Sequence, residues 1–285
     1  MYKETEFLEE LKAELQSQLG ESVVVQSHVI LRNNGGESRC LTILPPGKKS
    51  SPALWMEPYF QRWDRGEDVA QLALELLREW RSADQGKNLE ELTFEDYQQV
   101  KRNIYRMAVN RDKNRKSLEN QPWKPFLDWA LVCYYRVDRR LIPEAIVRIE
   151  KHHMDLWGIS EEELFQQAWE NCQRDLPPRL YSMGEILGID EEEFLYVLTN
   201  EKRYLGAEVI TRQGALEEIC KKVDGDFYVL PSSIHECLVL PVSQQFSKES
   251  LSQLVKEINE TQVDSTEVLS DQAYLYRRDL KKLCL

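Results

Sequence analysis

Between residues 227 and 240 the chain reads Phe227-Tyr228-Val229-Leu230-Pro231-Ser232-Ser233-Ile234-His235-Glu236-Cys237-Leu238-Val239-Leu240. Two short apolar runs rich in β-formers flank six residues that open with proline. A parallel crossover needs about a dozen connecting residues, so runs this close together form an antiparallel hairpin. The same spacing recurs on both sides. Strands are expected at 194–199, 207–211, 227–230 and 236–242, with helices at 213–223 and 247–258. The stretch 273–283 fits strand or helix equally. Antiparallel pairs with helices packed on them define an α+β fold.

Working back toward the start, 126–137 and 144–152 read as an antiparallel pair joined through Pro143. Ser160 and Glu163 form a capping box for a helix burying Leu164, Phe165, Ala168, Trp169 and Cys172. Thr93 and Asp96 resemble another box. It opens a predicted helix that turns Tyr97, Val100, Ile104, Met107 and Ala108 inward. Helices are also expected at 5–19 and 68–81, where apolar residues recur at helical spacing. Asn33-Asn34-Gly35-Gly36 separates two apolar runs, a hairpin signature, and 53–56 is a third strand or an edge. The polar, basic and then proline-containing segment 110–125 suggests two lobes, 1–120 and 121–285.

Composition narrows the function. With 42% hydrophobic residues the chain can bury a substantial core, and its net charge of -12 repels phosphate backbones, which disfavours nucleic acid. No apolar run is long enough to cross a bilayer, and 1–10 lacks a signal-peptide core, so no membrane role is expected. None of the six cysteines lies in a CxxC pair, and they read as buried thiols in a reducing compartment. The expectation is a soluble, cytoplasmic protein. No GxGxxG, P-loop, GxSxG or HExxH motif occurs, so no cofactor and no metal are predicted.

Candidate chemistry concentrates in a few places. On an extended segment Ser233 and His235 share a face, as a nucleophile and its base would. Glu236 points the other way. The structural alternative is a turn whose serine hydroxyls bond nearby amides. His152 and His153 are adjacent, but on a strand they face opposite sides and cannot share one ion. Asp128 interrupts an apolar strand and needs a partner if buried. Lys101, Arg102, Arg106, Arg111, Lys113, Arg115 and Lys116 face one acid, Asp112, within 101–116. That stretch could meet an anionic partner or nucleic acid, or be a solvated helix face neutralised by the protein's own acids.

Several polar clusters taken together carry a likeness. They are Arg32-Asn33-Asn34-Gly35, Ser51-Pro52 with Tyr59, Phe126-Leu127-Asp128, His153 with Leu156-Trp157-Gly158, and Val197-Leu198-Thr199-Asn200. Gly206-Ala207, Leu230 through Glu236, Asn259 with Thr261-Gln262-Val263, and Glu267-Val268-Leu269-Ser270-Asp271 with Tyr274 and Tyr276 complete the set. On these the chain resembles a domain-of-unknown-function family of cytoplasmic proteins from anaerobic Gram-positive bacteria. The likeness runs nearly end to end, implies one cooperative fold, and carries no reaction with it. Asn171-Cys172-Gln173 stands where that family tends to have Asn-Thr-Pro.

Two functional expectations follow. The first is a non-enzymatic interaction or regulatory module acting on a protein partner. The second is an enzyme or small-ligand binder gathering Asn200, Ser233, His235 and Glu236, with Asp128 or His153. Nucleic-acid binding through 101–116 is a weaker third.

Overall fold

The computed structural model describes residues 2–48, 51–84, 94–137, 146–188, 195–243 and 245–285. Their contacts divide them into two compact units. The first draws on Met1–Arg32 and Gly36–Phe94, the second on Asn33–Gly35, Glu95–Val137 and Ala145–Leu285. Both are built from antiparallel sheets and helices, so the chain is α+β.

In the first unit α1 (Tyr2–Leu19) ends at Gly20, whose φ of 82° suits a residue without Cβ. Strands β1 (Val24–Leu31) and β2 (Glu37–Leu44) pair from Val24↔Leu44 to Leu31↔Glu37, and β3 (Leu54–Trp55) adds to β2. Helices α2 (Glu57–Asp64) and α3 (Val69–Asp84) follow. Phe7, Leu11 and Leu15 of α1 meet Leu41 and Ile43 of β2 and Leu72 and Leu76 of α3 in one core. The stripes read from helical spacing are the faces buried.

The second unit opens with α4 (Tyr97–Val100), capped by the Asp96 carboxylate, which accepts from Gln98 N at 2.9 Å. Thr93, the other half of the expected box, lies outside the described residues. The predicted helix stops there. Residues 104–110 are instead strand β4 (Ile104–Asn110). After the short α5 (Arg115–Leu118), β5 (Trp123–Phe126), β6 (Trp129–Arg136) and β7 (Ile146–Arg148) complete a sheet in which β6 pairs with β4, β5 and β7. Strand β4 is buried on both faces, so its sequence lacks the alternation of a half-exposed strand. Its apolar residues fall at helical spacing without being helical. Segment 110–125 links β4 to β5 within this unit.

The expected strand 144–152 is only partly strand; Pro143 and Glu144 lie outside the described residues. His152 and His153 sit on α6 (Lys151–Trp157), which Glu150 opens and Gly158 (φ 64°) closes. Helix α7 (Glu161–Asp175) has the predicted Ser160/Glu163 box. Asn171-Cys172-Gln173 lies inside α7, where no turn is needed; buried Asn171 donates to Lys101 O and Ile104 O.

Strands β8 (Pro178–Ser182) and β9 (Tyr196–Asn200) flank α8 (Met183–Leu187). The strand expected at 207–211 is a buried 3-10 turn, Gly206–Thr211. Helix α9 (Gln213–Val223), strands β10 (Phe227–Pro231) and β11 (Cys237–Pro241), and α10 (Lys248–Thr261) follow as read. The ambiguous tail is a hairpin, β12 (Tyr274–Arg277) and β13 (Lys282–Cys284). These strands form one antiparallel sheet in the order β13-β12-β10-β11-β9-β8.

Candidate functional site

The segment between β10 and β11 is a turn. Ser232 N and Ser233 N donate to Glu236 O at 3.3 and 3.2 Å, and His235 N donates to Ser233 Oγ at 3.0 Å. Glu236 thus serves through its carbonyl, and Ser233 through a bond to backbone two residues on. The His235 carbonyl accepts from Gly206 N at 3.0 Å and from Thr199 Oγ1 at 2.8 Å. A Cβ on Gly206 would stand 2.3 Å from Thr199 Oγ1, 2.6 Å from Asn200 N and 2.8 Å from His235 O, so only glycine lets the two loops meet.

Asn200 shapes the loop that leads to Gly206. Its Nδ2 donates to Tyr204 O at 2.8 Å and its Oδ1 accepts from Lys202 N at 2.9 Å. The loop delivers Leu205 N to His235 Nδ1 at 3.0 Å, with Leu205 held at φ 51°. Nδ1 is therefore an acceptor, and the neutral imidazole carries its proton on Nε2, which stands 3.4 Å from Glu267 Oε1. The Tyr204 ring lies alongside, 5.2 Å between centroids. The structure does bring Asn200, Ser233 and His235 together. It does so around backbone groups, and the imidazole has no lone pair left for the serine.

Glu267 joins this cluster to a second one. Its carbonyl accepts from Ile234 N at 2.9 Å. The loop around it is pinned by asparagines. Asn34 Nδ2 donates to Ser265 O and Val268 O at 2.7 Å each, Asn33 Nδ2 to Thr266 O at 2.7 Å, Asn110 Nδ2 to Leu269 O and Asn259 Nδ2 to Ser270 O, both at 3.0 Å. Asn114 holds Asn34 in turn through bonds of 3.0 Å in each direction. An amide reaches a carbonyl without bringing a charge, which suits a half-buried loop.

Asp128 belongs to this second cluster. It lies in the two-residue reversal between β5 and β6, beside Leu127 at φ 52°, and does not interrupt a strand. Its carboxylate accepts from Ser270 Oγ at 2.6 Å and Tyr274 Oη at 2.5 Å. Burial, then the Asp128 charge and its bond, push the Tyr274 phenol far up. The partners are two hydroxyls from the Ser270–Tyr274 stretch.

His153 stands apart. Its Nδ1 accepts from Glu150 N at 2.9 Å, closing the cap of α6, and its ring stacks on Trp157 at 5.8 Å. Burial, then the neighbouring His152, lower its pKa from 6.5 to about 4, so it is neutral near pH 7. Among the described residues no three His, Cys, Asp or Glu are grouped to hold a metal ion.

The basic stretch divides. Arg106 is drawn inside, where it shares Glu208 with Arg212 under the Trp169 indole; Glu208 and Arg212 are buried. No motif announced this triad, because Arg106 on β4 lies 102 residues along the chain from Glu208. Arg115 pairs with Asp112 at 2.8 Å. Arg111 reaches Leu127 O at 3.3 Å, and Lys151 reaches Glu119 O at 2.7 Å. Arg111, Asp112, Arg115, Glu119, Trp123 and Lys151 line a groove of about 570 Å³. Among the described residues neither Arg111 nor Lys151 has a carboxylate at ion-pair distance.

The chain is thus an α+β protein whose most distinctive polar side chains fasten loops to one another. It belongs to DUF5688, a family of unknown function, whose model matches residues 4–278. No curated protein and no solved structure matches it. Among the described residues no helix is long and apolar enough to cross a membrane.

Proposed function

We propose that this protein is a non-enzymatic interaction module that takes an anionic segment of a protein partner into the groove beside α5. The carrying observation is that Arg111 and Lys151 are held by carbonyl oxygens and not by carboxylates. Among the described residues neither has a carboxylate at ion-pair distance, and both line an open groove beside Trp123. Engagement of Ser233, His235 and Asn200 by backbone groups supports a binding role over a catalytic one. All six cysteines are free, which supports a reducing cytoplasm, and the resemblance noted in the sequence supports an anaerobic Gram-positive source.

Calorimetric titration with a glutamate-rich peptide tests the reading. Binding should weaken as salt rises and fall by roughly tenfold or more on Arg111→Glu or Arg115→Glu. Equal affinity in wild type and both variants contradicts it. A second reading, a small-ligand binder at His235, draws on one observation: bulky Leu205 is held in the left-handed region next to the imidazole, the kind of strain found at functional sites. It predicts a small molecule whose binding perturbs the His235 ring resonances; a metabolite screen that leaves them unmoved removes it.

A further inference from the structure

Strand β1 is the outer strand of the first unit's sheet, paired among the described residues with β2 alone. It is eight residues long and contains no charge and no proline, the features that usually protect an edge. Val24, Val29 and Ile30 are 46%, 50% and 38% exposed. These are large apolar side chains on a strand whose outward amides and carbonyls have no strand partner among the described residues.

The order of residues says what fits there. From Val23 to Leu31 the chain reads Val-Val-Val-Gln-Ser-His-Val-Ile-Leu, a pattern symmetric in character about Ser27. An antiparallel copy related by a two-fold axis perpendicular to the sheet at Ser27 places Val24 opposite Ile30, Val25 opposite Val29, Gln26 opposite His28 and Val23 opposite Leu31. Each apolar residue meets an apolar one on the same face, and each polar residue a polar one. A shift by one residue would set the outer face of one copy against the inner face of the other.

We infer that the protein forms a symmetric homodimer by pairing β1 with β1 of a second copy, joining two three-stranded sheets into one of six strands. The inference stands apart from the proposed groove, which is in the other unit. The interface is small and each chain carries -12 charges. The dissociation constant should therefore be on the order of 10 µM and fall as salt screens the repulsion.

Sedimentation equilibrium on the full chain, up to about 200 µM, reads the association. Val24→Glu and Ile30→Lys each place a charge opposite an aliphatic residue and should weaken dimerisation roughly tenfold or more. Because residue 24 faces residue 30 across the axis, the double variant Val24→Glu/Ile30→Lys forms two ion pairs and should dimerise again, within about threefold of wild type. Both sites are exposed, and circular dichroism confirms that each variant folds. A monomeric wild type at every concentration overturns the proposal. So does a wild-type dimer that both single variants leave intact, or a double variant no better than the singles.

Discussion

Gly206 sits where two loops touch, and its missing side chain is what allows Leu205 N to reach His235. Gly206→Ala would push a methyl against two backbone atoms that cannot rotate away. We expect a loss of about 2–3 kcal/mol, read from the urea midpoint. Asn34 is a different case, since it combines a left-handed backbone (φ 61°) with two side-chain bonds to loop carbonyls. Asn34→Gly keeps the backbone and removes the amide, so a loss of about 1–3 kcal/mol isolates the pinning of the loop. His153 gives a pH dependence. Its folded pKa is depressed from 6.5 to about 4, so the unfolded chain binds the proton more readily. That contribution to stability is complete above about pH 6.5 and is lost as pH falls toward 4. His153→Gln should flatten the urea midpoint across this window; an unchanged slope would show the ring is not desolvated. These residues were legible one at a time. Their partners were not, because a sequence does not show which carbonyl an asparagine will reach.

Helices α1, α3 and α7 have one wet face and announce themselves by helical spacing or a Ser/Glu cap, while the β10–β11 hairpin shows as two short apolar runs too close together for a crossover. Strand β4 reads as helix in the sequence because both its faces are buried, which erases the period of two. Helix α6 gives no familiar start signal, because its cap pairs Glu150 with His153 in place of the usual serine and glutamate. The asparagine-pinned loop has no periodicity at all. Its bond to Asp128 is the testable join between the β5–β6 reversal and β12. Asp128→Ala leaves the Tyr274 and Ser270 hydroxyls without their acceptor, and Tyr274→Phe removes one of the donors. Each should cost about 1–3 kcal/mol, and the double variant should lose about 1 kcal/mol less than the sum. Strict additivity in a denaturant cycle would mean the carboxylate and the phenol do not act together.

For the whole molecule, charge distribution matters more than any single group. An acidic chain keeps seven of its cations in one short stretch, yet folding spends them unevenly. Arg106 is half-buried in an ion triad and Arg115 is paired locally, while Arg111 and Lys151 are fixed at a groove by carbonyl oxygens. The sequence showed the excess and not its division, which depends on where β4 and α6 place their ends. The same holds for the candidate cluster. Asn200, Ser233 and His235 do come together, but in the service of backbone groups. The framework role of this cluster rests on the His235 ring, and nitrogen-15 NMR of that imidazole reads it directly. We predict a neutral ring protonated at Nε2, with Nδ1 showing the shift of a hydrogen-bond acceptor. A ring protonated at Nδ1, leaving Nε2 open as a base, would contradict the framework role and restore the cluster as a catalytic site.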